Sequence, residues 1–408
     1  MIRTLTVLLL AGSALAQTTL TPNRSSPVGP HAQPGAGPSV RPLATGHPWP
    51  MRYGDPARTG RSGDPGAALG ELDWKFRIAG SVPQFAVARD GTVHCGTLFH
   101  EEWWSNDSFV YALTGAGALE WRAKVAPYDW GFAQDVQGSP ALDLAERPSL
   151  PSASGRLYQF SPAGEIVWTY QGNAGATHSS SPAVLADGST RHYMLGHGLV
   201  GVDANGAQLF RNTGVYTIQS SVAVAANGEM ALSAVRSNEP HTFPAIYYLN
   251  ADGSLRWLRT TLKGEDSTPV IGDDGTVYAR FNGTTAFRPD NTVVWSNGTP
   301  ATTRALGRNG ILYLLAGTSI RLVDAATGIE ASSIGLPGSG NDGLALDVAG
   351  NVYATTSNGY ACAYTAAGAP IFETKVCDTF TTGPVIATAS RIVAAGKEGF
   401  TRFVYSIR

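Results

Sequence analysis

Residues 267–295 read Ser267-Thr-Pro-Val-Ile-Gly-Asp-Asp-Gly-Thr-Val-Tyr-Ala-Arg-Phe-Asn-Gly-Thr-Thr-Ala-Phe-Arg-Pro-Asp-Asn-Thr-Val-Val-Trp295. Four short runs rich in β-branched and aromatic residues are parted by turns at Gly272-Asp-Asp-Gly275, Asn282-Gly283 and Pro289-Asp-Asn291. Such turns need residues that tolerate positive φ, and between short apolar runs they mark hairpins. The stretch is therefore strand, turn, strand, turn, strand, turn, strand, closed by a tryptophan.

The unit recurs. Gly117 precedes Trp121 by four residues, and Gly164-Trp168, Gly206-Phe210, Gly253-Trp257 and Gly368-Phe372 repeat the spacing. Asn291 replaces the glycine before Trp295, and Gly328 opens a degenerate copy with Ser332 in the aromatic place. With Trp74 upstream, the anchors stand at 74, 121, 168, 210, 257, 295, 332 and 372, so neighbours lie 37 to 47 residues apart. Asp-Gly and Asn-Gly turns recur at Asp90-Gly91, Asp187-Gly188, Asn227-Gly228, Asp252-Gly253 and Asn309-Gly310. A period of this length with four strands per copy and no helical periodicity describes β-propeller blades.

The chain ends set the number of blades. The last copy runs from Thr382-Gly-Pro-Val-Ile386 through Arg391-Ile-Val-Ala-Ala395 to Phe403-Val-Tyr-Ser-Ile407, three strands without a fourth. Asp73-Trp-Lys-Phe-Arg-Ile78 is a fourth strand without the first three. Pairing the two leaves no open edge at the seam. The expectation is an all-β, eight-bladed β-propeller of four-stranded antiparallel blades, its last blade closed by the N-terminal strand around Trp74. Seven blades with a stray strand is the alternative.

The first 16 residues carry Arg3, the apolar run Leu5–Leu10 and the small-residue site Ala14-Leu15-Ala16, the pattern of a secretory signal peptide cleaved after Ala16. No cysteine follows that run closely and no other stretch is long enough to span a bilayer, so a lipid anchor and a membrane span are not expected. Residues 17–47 hold Pro22, Pro27, Pro30, Pro34, Pro38 and Pro42 among small polar residues and read as a disordered linker. Residues 48–408 form the propeller domain, a monomer in the periplasm or outside the cell. A net charge of −2 with 15% charged residues excludes a nucleic-acid partner. Of three cysteines, Cys362 and Cys377 flank the hairpin turn at Ala366-Ala-Gly368, and either a disulfide or two buried thiols fits them; Cys95 is left over.

The blade pattern, with the opening Trp49-Pro-Met-Arg-Tyr-Gly-Asp-Pro-Ala-Arg-Thr-Gly60, resembles the PQQ-like (quinoprotein-type) β-propeller repeat family over residues 48–408. In that family an Asp-x-x-Thr-Gly turn precedes the outer-strand tryptophan, and Asp324-Ala-Ala-Thr-Gly328 matches the turn in the copy that has lost its aromatic. The resemblance implies architecture first, because this propeller serves dehydrogenases, assembly scaffolds and binding proteins alike. Its enzymes hold PQQ and Ca²⁺ at the ring centre with an Asp base, and many carry two adjacent cysteines. This chain has no adjacent cysteines, no Cys-x-x-Cys-His and no long inserts, and no Gly-x-Ser-x-Gly elbow points to a hydrolase. No catalytic residue, cofactor or metal is expected; a PQQ/Ca²⁺-dependent dehydrogenase is the alternative.

A ring of equivalent aromatics packs blade on blade. The expected site lies instead on the face carrying the inter-blade loops and the second-to-third-strand loops, where the chain is elaborated. Phe99-His-Glu-Glu-Trp-Trp-Ser-Asn-Asp107 and Ala126-Pro-Tyr-Asp-Trp-Gly-Phe-Ala-Gln-Asp135 bring Trp103, Trp104, Tyr128 and Trp130 beside Glu102 and Asp129. Aromatics among carboxylates suit a protein or glycan ligand. His178 and, from the blade-four insertion Arg236–Phe243, His241 complete the expected ligand-binding set. Arg304, Asn341, Asp342 and Asp378 are placed by their loops near the channel mouth, with His197 and Lys397-Glu398 on second-to-third-strand loops of the same face. The opposite face, with its short repetitive turns, is expected to leave little room for a site.

Overall fold

A computed structural model describes residues 46–98, 108–125, 136, 138–172, 180–215, 217–218, 220–238, 241–260 and 267–408. The described residues all belong to one compact unit, 39–408. The signal-peptide segment lies outside the described residues, as does residue 17–45 of the Pro-rich stretch.

The described strands form eight antiparallel sheets, each a blade. Blade 1 is built from Phe85–Val87, Val93–Gly96, Phe109–Leu113 and Leu119–Lys124. Blades 2, 3, 6 and 7 repeat the order from Ala141–Leu142 to Ile166–Gln171, from Ala183–Val184 to Gln208–Asn212, from Thr303–Leu306 to Glu330–Gly335 and from Ala345–Leu346 to Pro370–Lys375. Blade 5, the stretch quoted above, is Val270–Ile271, Val277–Arg280, Thr284–Phe287 and Val293–Asn297. Blade 4 departs from the norm through a hairpin of Met230–Asn238 and His241–Leu249 that also pairs with Thr217–Ile218. In blade 8, Val385–Ala387, Arg391–Glu398 and Thr401–Ile407 are completed by Leu72–Arg77, in register Trp74 to Ser406 and Phe76 to Val404. The closing strand is the one carrying Trp74, so the ring has no frayed sheet edge at the chain ends.

The repeat has a mechanical reason. Each turn glycine adopts a left-handed backbone (Gly117 φ 81°, Gly164 φ 85°), and its missing Cβ makes room for the aromatic of the preceding blade. A Cβ on Gly117 would stand 2.5 Å from the Trp74 ring, on Gly164 2.7 Å from Trp121 and on Gly328 2.5 Å from Trp295. Each indole then donates across the blade boundary: Trp74 Nε1 to Gly115 O (3.0 Å), Trp121 to Pro162 O (2.7 Å) and Trp257 to Pro289 O (2.9 Å). In the degenerate copy Ile334, not Ser332, lies against the next turn, 3.0 Å from the Cβ position of Gly368. These aromatics are inter-blade packing.

The cysteines resolve the two options left by their spacing. Cys362 and Cys377 are free and buried, as is Cys95. Cys362 packs with Leu315 and Tyr364, whereas Cys377 belongs to the cluster of Phe380 and Tyr405. The disulfide is not formed because the two thiols serve different cores. No helix among the described residues is long and apolar enough to cross a membrane.

Candidate functional site

The motif Trp49–Gly60 is not a strand of any blade. It runs around the inside of the ring, and its carbonyls accept the amides at the ends of the innermost strands. Val87 N donates to Trp49 O (2.7 Å), Leu142 N to Pro50 O (2.8 Å), Val224 N to Pro56 O (2.7 Å) and Ile271 N to Ala57 O (2.9 Å). Leu306 N follows on Thr59 O (2.8 Å) and Leu346 N on Gly60 O (2.7 Å). Six of the eight blades are thereby bonded to one segment, which plugs the channel at the face of the short turns.

Arg58 is the plug's centre. It holds φ 63°, a left-handed conformation that costs a non-glycine residue about 1 kcal/mol or more, and its side chain is fully buried. Nε donates to Val222 O (2.8 Å), Nη1 to Arg52 O (2.7 Å), and Nη2 to Ser181 O (3.1 Å) and Pro182 O (3.0 Å). Burial pushes its pKa down to about 9, so it stays charged at neutral pH. Backbone carbonyls of blades 3 and 4 and of the plug solvate the cation. Asp55, pushed up by burial, takes the Thr59 amide (3.0 Å) and hydroxyl and tightens the same turn.

Above the plug, toward the loop-rich face, the wall is a girdle of hydroxyls at equivalent positions. Ser139 N donates to Ser181 Oγ (2.9 Å), Ser181 N to Ser221 Oγ (3.0 Å) and Ser221 N to Thr268 Oγ1 (3.0 Å). The hydroxyl of Thr303 donates to Asp342, which also pairs with Arg52 and accepts from Tyr53 OH (2.8 Å). Burial pushes the Tyr53 hydroxyl up to about 12, which keeps it a donor. Arg304 is buried and donates to Ser267 Oγ (2.7 Å).

Of the residues expected near the channel mouth, Arg304 and Asp342 are brought there. Asp378 instead accepts from Gly399 N (2.7 Å), in the turn between the second and third strands of blade 8, and Lys397 and Glu398 end the second strand at that turn, with Glu398 paired to Lys75 (2.8 Å). His197 is buried against Tyr170 OH (2.9 Å) between blades 2 and 3. The expected ligand-binding residues Trp103, Trp104, Glu102, Tyr128, Asp129, Trp130 and His178 lie outside the described residues. His241 opens a strand opposite Asn238, but its side chain is not among those described.

The reading of the turn-rich face needs correction. It carries a recess of about 640 Å³ lined by plug residues His47, Asp55, Arg61 and Asp64, by Asn227 and Glu229 of blade 4, and by Asp273 and Asp274 of blade 5. Turn length alone misses it, because the cavity is made by the plug entering the ring and not by loop elaboration. The visible signal was the Trp49–Gly60 motif itself, too polar and glycine-rich to be a blade strand.

A quinone cofactor with Ca²⁺ on the axis would need open volume and convergent oxygen ligands. At the described level the axis is filled by Arg58 and the plug, and among the described residues no three His, Cys, Asp or Glu side chains gather as metal ligands. The described residues do not fit that group.

No family model and no curated protein sequence matches the chain. Solved structures do. Quinohemoprotein alcohol dehydrogenase from Comamonas testosteroni superposes with a TM-score of 0.66 at 14% identity, over 90% of this chain and 81% of that one. Quinohemoprotein alcohol dehydrogenase ADHIIG from Pseudomonas putida HK5 gives 0.67 at 14% identity, over 89% and 80%. BamB from Moraxella catarrhalis gives 0.59 at 13% identity, over 83% and 99%. The chain has the fold of the eight-bladed PQQ-like propellers. At such identity the likeness concerns fold alone.

Proposed function

We propose that the chain is an exported, non-catalytic binding or scaffold module that holds a protein or glycan ligand on its loop-rich face. The observation that carries this reading is the buried Arg58 on four backbone carbonyls, which commits the ring centre to the protein's own plug. With the axis occupied, recognition falls to a face, and the aromatic-rich loops with Trp103, Trp104, Tyr128 and Trp130 supply large contact area there. The leader ending at Ala16 directs the protein to the periplasm or beyond. BamB, which shares the fold, supports a scaffold role; the quinohemoprotein dehydrogenases support the alternative of a PQQ/Ca²⁺ enzyme.

A thermal-shift titration of the mature protein with PQQ and Ca²⁺, separately and together, decides between them, because a ligand of the folded state raises Tm with concentration. No joint shift is expected. A saturable joint shift overturns the binding-module reading. Trp103→Ala with Trp104→Ala is expected to abolish capture of the loop-face ligand from envelope proteins and glycans at unchanged Tm; a large loss of Tm would make those rings core.

A further inference from the structure

The recess beside the plug is unbalanced in charge. Asp55, Asp64, Glu229, Asp273 and Asp274 face it against Arg61 and Arg308. Most are engaged: Arg61 holds Asp273 through bonds of 3.0 and 2.7 Å, Arg308 donates to Ser62 O (3.1 Å), Glu229 pairs with Arg256 and accepts from Tyr248 OH (2.6 Å), and Asp274 accepts from the Thr276 amide and hydroxyl (2.9 and 2.8 Å). The Asp64 carboxylate accepts no hydrogen bond from a described residue, and partial burial holds its pKa above the ordinary range. In the same wall His47, with a side chain 1% exposed, keeps Nε2 on Glu146 (3.0 Å) while its Nδ1 has no protein partner. Asp273 is 82% exposed despite its ion pair and so keeps lone pairs for a second cation.

The whole face leans the same way. The first-to-second and third-to-fourth-strand turns place Asp90, Asp187, Asp203, Asp252, Asp290 and Asp324 on it, against Arg89, Arg147 and Arg288. The outer strands of blades 8, 1 and 7 end at the opposite face in Arg77, Lys124 and Lys375. A concave site of one sign, walled by protein, focuses the field and concentrates ligands of the opposite sign. At about 640 Å³ the recess is in the size range of ligand sites. Among the described residues its carboxylates are spread along the wall and do not gather around one point, an arrangement that suits an extended cation.

We propose that this recess is a second docking site, taking a Lys- or Arg-rich polypeptide segment of a partner protein. Ammonium groups with three donors each would bridge Asp64, Asp273 and Asp274 while their methylene stems lie along Pro50 and Pro289.

The test is fluorescence anisotropy of a labelled oligolysine peptide on the full mature chain over a salt series. Binding that weakens steeply with salt is expected, since the attraction is screened. Gly63→Leu should weaken it: a Cβ at Gly63 meets nothing within 4 Å, so the new side chain enters open space at the recess wall without a backbone clash. Asp64→Asn, which removes a charge without a protein partner, should weaken binding about tenfold, while Asp378→Asn on the opposite face leaves it unchanged. If Gly63→Leu lowers Tm, Asp64→Asn decides alone. Absence of binding at low salt, or binding indifferent to Asp64→Asn, overturns the proposal.

Discussion

Two buried side chains carry consequences out of proportion to their size. Arg58→Ala would leave the carbonyls of Ser181, Pro182, Val222 and Arg52 without their donor. Unsatisfied buried acceptors make this a loss of about 3 kcal/mol or more, measured by urea unfolding. His94, buried beside Trp121 with ring centroids 5.8 Å apart, is pushed down by burial to about 4. Its folded pKa lies below the unfolded value, so the unfolded state binds the proton first as pH falls. Stability is therefore complete above about 6.5 and declines toward pH 4 by about 1.4 kcal/mol per unit from this group. The pKa values of His47 and His197 are also lowered, each chiefly by burial, and add in the same direction. Urea midpoints across this range should show the decline, and His94→Gln should make it shallower; an unchanged slope would remove His94 as its cause.

At the scale of elements, the closing strand and the indole latch matter most. Leu72–Arg77 covers the edge of Thr401–Ile407, and Trp74 passes the latch on to blade 1 through Gly117. A chain truncated to begin at Ile78 loses the strand, the latch and the plug together, and exposes a long unpaired edge. It is expected to show no cooperative melting transition by calorimetry and to associate in size-exclusion chromatography. How legible each element was follows from its locality. The turn glycines and the outer-strand aromatics could be read from residues a few positions apart, and the seam from the incomplete copies at the two ends of the chain. The substitution of Ile334 for Ser332 could not, because it depends on which side chain reaches the turn of the neighbouring blade.

Across the whole molecule, the plug makes one cooperative unit of blades that otherwise touch only their neighbours. The amides of Val87, Leu142, Val224, Ile271, Leu306 and Leu346 all donate to it. Hydrogen exchange should find these six amides protected to the same degree and opening together, by global unfolding. Graded protection from one blade to the next would mean the segment merely lines the channel.

The sequence by itself determined the all-β architecture, the eight blades and the closure by the strand around Trp74. The architecture rests on local periodicity and on the φ > 0 demands of turns, which any single copy displays, and the blade count and closure rest on the number of copies and the two incomplete ones at the chain ends. Only the tertiary structure decided that Trp49–Gly60 fills the axis, that Cys362 and Cys377 serve separate cores, and that the turn-rich face holds a recess. Each of these depends on contacts between residues far apart in the chain, such as Arg58 with Val222 or Arg61 with Asp273, and no spacing rule encodes where a segment outside the repeat will lie.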